Sequence, residues 1–362
     1  MSFESQCMLT CIGNKRKLVH HILKIIENDV LPDKPKLNIV DGFAGSGVVS
    51  RTLLNRADTI HINDLEQYSY TMNYCFFIKP MEEDIETIKY HINEMNKIAI
   101  EGPYKPGIIC KHYAPKDSKN IKMGERCFYT RENALIIDSV REYIDKCVDK
   151  KLFNYCITPL LIKMSINTNT AGVFKGFYKD KTGIGKFGGS NGDALERIEK
   201  RIEFDYPIWS DSEYTAQVYN KNVNELIKEL PDDIDVIYLD PPYNQHPYSS
   251  NYFMLNLIIK NIEPLKLSKV SGIPEDWNRS DYNYKHKAVT SMIELLKDSL
   301  TKSKYVLLSY NNEGIINTDD WVEILKDYKV DKKEIRYDTY KGSRNLKNRD
   351  NKVIEQMYLI YI

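Results

Sequence analysis

The chain has 362 residues, a length that predicts one enlarged domain or two domains. Its 51 Lys and Arg residues balance its 51 Asp and Glu residues, which argues against a protein held to nucleic acid by bulk charge alone. The seven cysteines are scattered without a C-x-x-C pair, which argues against a disulfide framework or a zinc site. The sequence has no signal-peptide pattern and no apolar run near the ~20 residues of a membrane span, so we expect a cytoplasmic protein that binds neither membrane nor metal.

The first informative block is residues 12–18, where a glycine turn precedes apolar residues at helical spacing. Lys15 falls at the predicted start of this helix, where a cation is unfavourable unless it serves an anion. We therefore interpret Lys15 as a candidate ligand-binding residue. A solvated lysine on a helix face is the alternative.

A strand and a glycine-rich loop follow. Residues 37–41 have the apolar pattern of a strand, and Asp41-Gly-Phe-Ala-Gly-Ser-Gly47 predicts a tight turn into a helix at 48–55. The three glycines let the backbone approach a ligand closely. Their spacing is neither the dinucleotide G-x-G-x-x-G nor the G-K-[ST] of a triphosphate loop, so a cofactor with an adenosine and a carboxylate but no phosphate chain fits better. A purely structural turn is the alternative.

The second predicted strand, at residues 59–62, ends in Asn63-Asp64. Asp64 lies 23 residues beyond Asp41 (64 − 41 = 23), close to the ~20-residue spacing at which a strand-end acid binds a ribose diol. We therefore predict that Asp64 binds a ribose. Glu66 is the alternative acid.

From about residue 101 to 210 the alternation of strands and helices is lost, and helices are predicted at 132–148 and 153–164. Residues 151–190 contain six lysines against the single acid Asp180, a local charge of +5 in a neutral protein (6 − 1 = 5). Interleaved aromatic residues and glycines make this segment typical of a loop or ribbon that binds a polyphosphate backbone. A flexible solvated loop is the alternative. A charged helix is predicted to follow at 193–204.

A third strand is predicted at 215–219 and a helix at 222–230, with Asn222 at the junction. Asn222 either caps that helix or faces a bound adenine. The next strand, Asp235-Val-Ile-Tyr-Leu239, is an apolar, β-branched run of the kind that is buried on both faces of a sheet. Two prolines end it, because neither can donate a backbone hydrogen bond to a neighbouring strand.

Asp240-Pro241-Pro242-Tyr243 is therefore left at the carboxyl end of a central strand, where open α/β sheets bind their ligands. The Asp240 carboxylate and the Pro241 carbonyl are adjacent hydrogen-bond acceptors, and the Tyr243 ring offers a flat face. Together they suit a planar amino group on an aromatic heterocycle. A strand-end turn is the alternative, since so short a string also arises by chance.

Taken together, these motifs resemble a known family. Four of them occur in the order typical of the D12-class, Dam-like N6-adenine DNA methyltransferases of the alpha group: residues 12–18, the glycine loop of 41–47, Asn63-Asp64 and Asp240–Tyr243. Further stretches look most similar to restriction-modification methylases of the FokI type, namely 167–174, 248–252, Ser309-Tyr310-Asn311 and 342–349.

The resemblance implies an α/β fold: a Rossmann-like sheet that binds S-adenosylmethionine, with an inserted, mostly helical target-recognition region. We expect residues 1–100 and 213–362 to form the two parts of the catalytic domain, and residues 101–212 to form the insertion. The implied partner is double-stranded DNA. A restriction endonuclease that acts on the same site is a candidate second partner.

The family's functional residues carry over motif by motif. The resemblance assigns catalysis to Asp240, Pro241, Pro242 and Tyr243. It assigns cofactor binding to Cys11, Gly13, Lys15, Asp41, Phe43, Gly45, Gly47, Asp64, Asn222 and Asp240. DNA binding falls to Asn169, Lys175, Lys179, Lys181, Lys186, Tyr248 and, in a second basic cluster at 336–352, Arg344. Two positions depart from the family pattern, since an aromatic residue is usual at Cys11 and an acid at Asn222.

On this basis we expect transfer of a methyl group from S-adenosylmethionine to N6 of an adenine flipped out of the duplex, by the modification enzyme of a restriction system. Three alternatives stay open. A ribosomal RNA methyltransferase acting on guanine N2 or adenine can carry the same D-P-P-Y string. A glutamine or N4-cytosine methyltransferase usually has Asn or Ser in place of Asp240. The third alternative is a non-catalytic DNA-binding relative.

Overall fold

The computed structural model describes residues 2–6, 8–189, 192–338 and 352–362, and Arg344 lies outside these ranges. The chain divides into two compact units. We call one of them the helical unit, formed by Met1–Cys11, Tyr74–Trp209 and Tyr248–Trp277. We call the other the sheet unit, formed by Ile12–Asn73, Ser210–Pro247 and Asn278–Ile362.

The described strands all lie in the sheet unit: β1 (Leu37–Asp41), β2 (Ala57–Asn63), β3 (Thr215–Tyr219), β4 (Ile234–Leu239), β5 (Ser303–Asn311), β6 (Lys329–Asp338) and β7 (Lys352–Tyr361). They form one seven-stranded sheet in the order β3-β2-β1-β4-β5-β7-β6. The first five strands in that order run parallel, and β7 is antiparallel to both β5 and β6. This arrangement confirms the predicted α/β fold with a Rossmann-like sheet.

The chain reverses its direction of travel across the sheet at β1 and β4. It passes outward from β1 to β2 and β3, and then returns to the other side of β1 with β4. Such a switch point opens a crevice at the carboxyl ends of the strands, where open α/β sheets bind ligands. Asp41 pairs with Tyr238 across the two strands, so the loops after Asp41 and Leu239 start on the two sides of this crevice.

The described helices, in chain order, are α1 (Val19–Asp29), α2 (Val48–Leu53), α3 (Gln67–Phe77), α4 (Glu82–Glu101), α5 (Ile108–His112), α6 (Arg131–Cys147), α7 (Phe153–Ile166), α8 (Leu195–Glu199), α9 (Val223–Glu229), α10 (Tyr248–Asn251), α11 (Phe253–Lys260), α12 (Lys285–Lys302) and α13 (Thr318–Leu325). Single turns of 3₁₀-helix lie at Leu54–Arg56, Lys150–Leu152 and Asp281–Asn283. None of the helices in the described ranges is long and apolar enough to cross a membrane.

The core of the sheet unit includes side chains from β4 and from helices α9, α12 and α13. β4 is buried along its whole length, and Ile237 and Leu239 pack in one cluster with Leu226 of α9 and Leu295 of α12. Burying one such side chain stabilises the fold by about 1.5–3 kcal/mol. This packing holds the end of β4, and with it the backbone of Asp240, in one place.

The helical unit contains α6 and α7, which confirm the helices predicted at 132–148 and 153–164. A cluster of buried aromatic rings joins its loops and helices. The Phe128 ring lies 5.3–6.4 Å, centroid to centroid, from the rings of Tyr113, Phe174, Phe177 and Phe253. Aromatic pairs of this kind contribute about 0.5–1.5 kcal/mol each beyond the area that they bury.

The helix predicted at 193–204 is wrong in extent, since it is confined to α8. Two side-chain amides explain its early end. Asn133 Nδ2 and Asn167 Nδ2 both donate to the carbonyl of Lys200, at 3.0 and 2.9 Å. Carbonyls at a helix end need donors from outside the helix, and these buried amides supply them directly after α8.

The helical unit differs in extent from the predicted insertion. It includes residues 101–209, but also Met1–Cys11, residues 74–100 and Tyr248–Trp277. Periodicity alone could not reveal this, because α4 and α11 have the amphipathic pattern of ordinary crossover helices. The assignment of target recognition to residues 101–212 stays a prediction.

Candidate active site

A buried lysine joins two carboxylates at the carboxyl end of β4, within the sheet unit. The Lys15 Nζ atom lies 2.7 Å from Asp240 Oδ1 and 3.1 Å from Glu355 Oε1. The exposed fraction of the side chain falls from 17% at Asp240 to 4% at Lys15 and 0% at Glu355. In this trio, which we call the charge cluster, Asp240 is therefore the member that a ligand can reach.

Lys15 reaches the charge cluster from a turn that precedes a helix. Gly13 has a φ of 78°, and the Lys15 carbonyl accepts the N–H groups of Leu18 and Val19, where α1 begins. The predicted position of Lys15 at the start of the helix is thus wrong by four residues (19 − 15 = 4). The anion that Lys15 was expected to take from a ligand is supplied in this structure by two carboxylates of the protein.

Glu355 joins the charge cluster from β7. Its carboxylate accepts hydrogen bonds from Ser309 Oγ on β5 and from Tyr337 Oη on β6, the latter at 3.1 Å. Asn311 Nδ2 donates to the Tyr337 oxygen at 3.2 Å. A buried charge is costly unless it is paired and hydrogen-bonded. Glu355 meets both conditions.

Sequence reasoning missed Glu355, although a signal was present. Val353, Glu355, Met357 and Leu359 alternate along β7 and are all buried, so an acid stands in an otherwise apolar row. Glutamate is almost never fully buried unless it is paired. The two-residue period of a strand, applied to β7, would have singled out this position.

Burial and neighbouring charges set the protonation of the charge cluster. Burial raises the pKa of Asp240 to about 6, opposed by Lys15 and reinforced by Glu355. Burial lowers the pKa of Lys15, but Asp240 and Glu355 outweigh it and hold that pKa well above its usual value. At neutral pH Asp240 is therefore an ionised acceptor beside a charged ammonium.

The glycine loop after β1 is tied to the ends of β2 and β4. The N–H of Gly42 donates to the Tyr238 carbonyl at 2.9 Å, and the N–H of Ala44 donates to the Asn63 carbonyl at 2.8 Å. Gly45 has a φ of 53°, a conformation that favours glycine. Apart from Gly45 itself and its two chain neighbours, no heavy atom of the described residues lies within 4 Å of the position that a Cβ at Gly45 would take. The backbone of the loop is open to a ligand at this point.

Two acids flank the glycine loop. Asp41 is fully buried: Oδ2 accepts from Ser50 Oγ at 2.6 Å, and Oδ1 has no hydrogen-bond partner among the described residues. Burial raises the pKa of Asp41 to about 7, opposed by the Ser50 bond. Asp64 accepts the N–H of Gly45 at 2.7 Å and that of Glu66 at 2.8 Å, and burial raises its pKa. The contact of Asp64 with a ribose stays a prediction.

Three further predicted cofactor residues have different surroundings. The Phe43 ring packs edge-on against Tyr282, with 5.4 Å between centroids and 86° between planes. Gly47 has a φ of 75° and directly precedes α2. Cys11 is buried and belongs to the helical unit, so its assignment to the cofactor rests on the family resemblance alone.

The backbone after Asp240 is tied to two other segments of the sheet unit. The N–H of Ile315 donates to the Tyr243 carbonyl at 2.9 Å, and Asn283 Nδ2 donates to the Asn244 carbonyl at 2.7 Å. Tyr243 itself is partly buried against the core. The proline–proline–tyrosine segment is thereby held close to the end of β4.

Asn222 caps α9. Its Oδ1 accepts the N–H of Asn224 at 3.0 Å, which satisfies an amide that the helix itself leaves unpaired. Of the two interpretations drawn from the sequence, the helix cap is the one that this contact supports.

Asn222→Ala is expected to lower the free energy of unfolding by about 1 kcal/mol, because the Asn224 amide loses its acceptor. Asn222→Ser keeps a capping oxygen and should remain close to the wild-type value. Chemical denaturation of both variants measures the difference. A loss of S-adenosylmethionine affinity in the serine variant, measured by calorimetry, would instead support a contact between Asn222 and a bound adenine.

Several candidate DNA contacts of the helical unit lie on a hairpin at residues 178–186. Lys179 forms an antiparallel bridge with Gly185, and the Asp180 carboxylate accepts the N–H groups of Thr182 and Ile184 in the turn. Residues 178–186 of the basic segment thus form a short ribbon, whereas its first part lies in α7.

The four candidate lysines of this segment differ in exposure. Lys179 and Lys181 are exposed, whereas Lys175 and Lys186 are partly buried. Burial lowers the pKa of Lys175. Lys179 Nζ also lies 5.1 Å from the centroid of the Phe177 ring. Lys179 and Lys181 are therefore the lysines best placed to meet a phosphate in solution.

Asn169 is wholly buried, which corrects its expected place on a DNA-binding surface. Its Nδ2 atom donates to the carbonyls of Cys127 and Lys186, both at 2.8 Å. Asn169 thereby anchors one end of the hairpin to the interior. Tyr248 begins α10, and its ring stacks on that of Tyr252 with 6.2 Å between centroids.

The sequence matches a family model along most of its length. The model for D12 class N6 adenine-specific DNA methyltransferase matches residues 12–324. This range includes the glycine loop, both acids that flank it and the Asp240–Tyr243 string, whereas Glu355 lies beyond it.

Individual relatives are modification methylases. The chain is 28% identical to the type II methyltransferase M.NlaIII of Neisseria lactamica, over 96% of this chain and 98% of that one. It is 28% identical to the modification methylase StsI of Streptococcus sanguinis, over 94% of this chain and 50% of that one. It is 25% identical to the type II methyltransferase M.FokI of Planomicrobium okeanokoites, over 88% of this chain and 46% of that one. The chain thus spans about half the length of the last two, and the expected similarity to methylases of the FokI type is confirmed.

Proposed function

Because the chain belongs to the D12 class of N6 adenine-specific DNA methyltransferases, we propose that it methylates N6 of an adenine at a specific site in double-stranded DNA, with S-adenosylmethionine as the methyl donor. The observation that carries this proposal is the partly exposed Asp240 carboxylate at the switch point of the sheet. The names of its relatives support a role as the modification enzyme of a type II restriction system. A restriction endonuclease that cuts the same unmodified site would be its partner.

The residues around the glycine loop fit S-adenosylmethionine. The open space at Gly45 suits a ligand that lies against the loop backbone, and Asp41 Oδ1 is an acceptor without a partner among the described residues. We assign the loop to the methionine part and Asp64 to the ribose hydroxyls, whereas Lys15, whose ammonium pairs with Asp240 and Glu355, acts through Asp240. When bound, this cofactor supplies an electrophilic methyl group on a sulfonium.

Asp240 serves as a hydrogen-bond acceptor for the adenine amino group. The N6 lone pair is delocalised into the ring, which makes the amino group a poor nucleophile. Hydrogen bonds from N6 to the Asp240 carboxylate and the Pro241 carbonyl would localise that pair on nitrogen. These bonds strengthen as positive charge develops on N6, so they stabilise the transition state more than the ground state. N6 then gives one proton to the Asp240 carboxylate, which is partly exposed and can pass it to solvent, and a neutral methylated amine remains.

Tyr243 holds the adenine after it leaves the duplex. A base cannot react inside the stack, so it must be flipped out. Stacking of the flipped ring on Tyr243 would contribute roughly 1–3 kcal/mol. Because the Tyr243 carbonyl is tied to the Ile315 N–H, the backbone that carries this ring is already in place before the base arrives.

Local charge supplies the affinity for DNA in a chain with no net charge. The exposed Lys179 and Lys181 on the hairpin are assigned to phosphate contacts, with Lys175, Lys186, Tyr248 and Arg344 as further assignments from the sequence. Each phosphate that a lysine neutralises releases counterions, so binding should weaken steeply as salt is added.

Methyl transfer from tritiated S-adenosylmethionine tests the proposed function. The purified protein is incubated with double-stranded DNA, RNA or protein acceptors. Label is expected in DNA alone, as N6-methyladenine in nucleoside digests and within one sequence context. Label in RNA guanine, in N4-methylcytosine or in glutamine would establish the corresponding alternative. DNA binding without label in any acceptor would make the chain a non-catalytic relative.

A further inference from the structure

The charge cluster contains one more acid than the proposed chemistry needs. Asp240 meets the amino group, and Lys15 pairs with Asp240. Glu355 is 0% exposed, so it touches neither adenine nor solvent, yet it lies 3.1 Å from the same ammonium. Placing a third charge in the interior is costly. Glu355 therefore requires an explanation of its own.

We propose that Glu355 is a positioning residue for methyl transfer: it holds the Lys15 ammonium in place from β7, and it keeps the charge cluster at a net charge of −1 (two carboxylates and one ammonium, −2 + 1 = −1). The inference rests on the proposed function and adds to it a residue beyond the range that the family model matches.

The contacts of Lys15 show how the ammonium is held. An ammonium has three N–H donors. Three acceptors surround Lys15 Nζ: Asp240 Oδ1 at 2.7 Å, Glu355 Oε1 at 3.1 Å and the Gly13 carbonyl at 3.4 Å. Removal of Glu355 leaves one donor of a buried cation without this acceptor, so the ammonium would shift towards Asp240.

The neighbouring strands prevent Glu355 from following Lys15. Glu355 pairs in register with Asn311 of β5 and with Ile335 of β6. Hydrogen bonds from Ser309 and Tyr337 hold its carboxylate from the same two strands. A group braced from both sides keeps its geometry within the small tolerance that catalysis requires.

The net charge explains why the second carboxylate helps the reaction. A lone Asp240–Lys15 pair is neutral, and the ammonium beside it opposes the positive charge that develops on N6. A second carboxylate beside the ammonium offsets this repulsion between the ammonium and N6. In an interior of low dielectric constant, such fixed charges act strongly on the transition state. Asp240 thereby remains a strong acceptor although it is paired with a cation.

The other titratable groups near the charge cluster allow a clear reading of pH dependence. Within the described ranges they are Asp41 on β1, Tyr238 on β4, Tyr243 after β4 and Tyr337 on β6. Burial raises the pKa of Tyr238 and of Tyr337, so both stay neutral through the range in which Asp240 titrates. Burial raises the pKa of Asp41 to about 7. Asp41 is present in all the variants below, so its titration does not contribute to the differences between them.

Glu355→Gln tests the inference, because it removes the charge and keeps an oxygen that Lys15 can donate to. With saturating DNA and S-adenosylmethionine, the single-turnover rate at about pH 8 should fall roughly 10- to 100-fold, the loss typical of a residue that orients a reacting group through another. The dissociation constants for DNA and S-adenosylmethionine should not change. In a plot of rate against pH, the fall of the rate on the acid side (the acid limb) should move to lower pH, because the charge of Glu355 raises the pKa of Asp240.

Glu334→Gln is the matched control. Glu334 lies on β6, is half-exposed and pairs with Lys332 at 2.8 Å, so the same substitution there should leave both the rate and the acid limb unchanged. Ser309→Ala and Tyr337→Phe each remove one hydrogen bond to Glu355 and leave the cluster charge intact. We expect a smaller loss of rate in each, with the acid limb at its wild-type position.

The outcomes separate the inference from the proposed function. If the wild-type protein does not methylate adenine, both are overturned. If the wild type is active and Glu355→Gln has the same rate and acid limb, only the inference is overturned. If the Glu355→Gln variant is slower but its acid limb does not move, Glu355 has only a packing role, and the inference is overturned as well. If Glu355→Gln does not fold, wild-type rates in both Ser309→Ala and Tyr337→Phe would contradict positioning.

Discussion

Asp240→Ala is expected to abolish methyl transfer while leaving the fold in place. Alanine cannot accept a hydrogen bond from adenine N6, so the loss should reach roughly 100- to 1000-fold or more, as for removal of one group aimed at a developing charge. Lys15 keeps Glu355 as its partner in this variant, so no buried charge is left alone. Single-turnover transfer of a tritiated methyl group measures the effect.

Asp232→Ala is the control for this variant. Asp232 stands just before β4, at the end of the strand opposite Asp240, and its 81% exposed side chain pairs with Lys302 at 2.6 Å. Exposed pairs contribute about 0–1 kcal/mol, so rate and stability should stay near wild type. Both variants should bind S-adenosylmethionine. Near-native methylation by Asp240→Ala would falsify the proposed mechanism, and loss of S-adenosylmethionine binding would assign Asp240 to the cofactor as well.

Lys15→Met is expected to have the second largest effect, on both stability and activity. Breaking a buried ion pair by removing one partner costs about 3–5 kcal/mol, because the remaining charges are left unpaired. In this variant the carboxylates of Asp240 and Glu355 would face each other without a cation between them. Lys15 lowers the pKa of Asp240, so without it that pKa rises further above about 6 and a larger fraction of Asp240 is protonated at neutral pH. A protonated Asp240 is a poor acceptor, so the rate of methylation at neutral pH should fall.

The pH dependence of unfolding identifies the cause of the destabilisation. An acid whose pKa is raised in the folded state binds more protons there than when unfolded, so stability falls as pH rises through that range. The loss in free energy of unfolding of Lys15→Met should be largest at about pH 8 and should shrink towards about pH 5, where Asp240 is protonated. Chemical denaturation at several pH values measures it. A loss in free energy of unfolding that is the same at every pH would indicate poor packing of the methionine.

Lys34→Met provides the comparison for Lys15→Met. Lys34 pairs with Asp235 Oδ2 at 2.6 Å near the start of β4, and 46% of its side chain is exposed. Both variants therefore remove the lysine of a lysine–aspartate pair next to the same strand. Asp235 is itself buried, but it keeps the N–H of Asn38 as a donor, and Lys34 is half-exposed, so Lys34→Met should lose less stability than Lys15→Met.

Local sequence patterns predicted the parts of the site that belong to single strands. Apolar runs that end in Asp41 and in Asp240 revealed β1 and β4, because strands buried on both faces need continuous apolar side chains. Glycines and prolines marked the turns after them, because those residues alone tolerate or enforce such turns. Both strand-end carboxylates could thus be found without any structure.

Contacts between distant segments could not be predicted in this way. The contact between Lys15 and Glu355 depends on the position of β7 between β5 and β6, and no local pattern encodes that order. Asn169 shows the same limit, because an asparagine in a basic segment reads as exposed until its carbonyl partners are known. Polar residues buried by tertiary contacts contradict the usual rule that polar residues lie outside.

The placement of Glu355 also ties the site to the timing of protein synthesis. Lys15 and Glu355 are 340 positions apart (355 − 15 = 340), so a ribosome that adds about 5–20 residues per second makes the lysine roughly 20–70 s before the acid. Towards the end of that interval the nascent chain contains the glycine loop, the Asp240–Tyr243 string and β5, but β5 lacks its neighbour β7 and Lys15 lacks its second carboxylate. A newly translated molecule therefore acquires its full charge cluster only after β7 has been made.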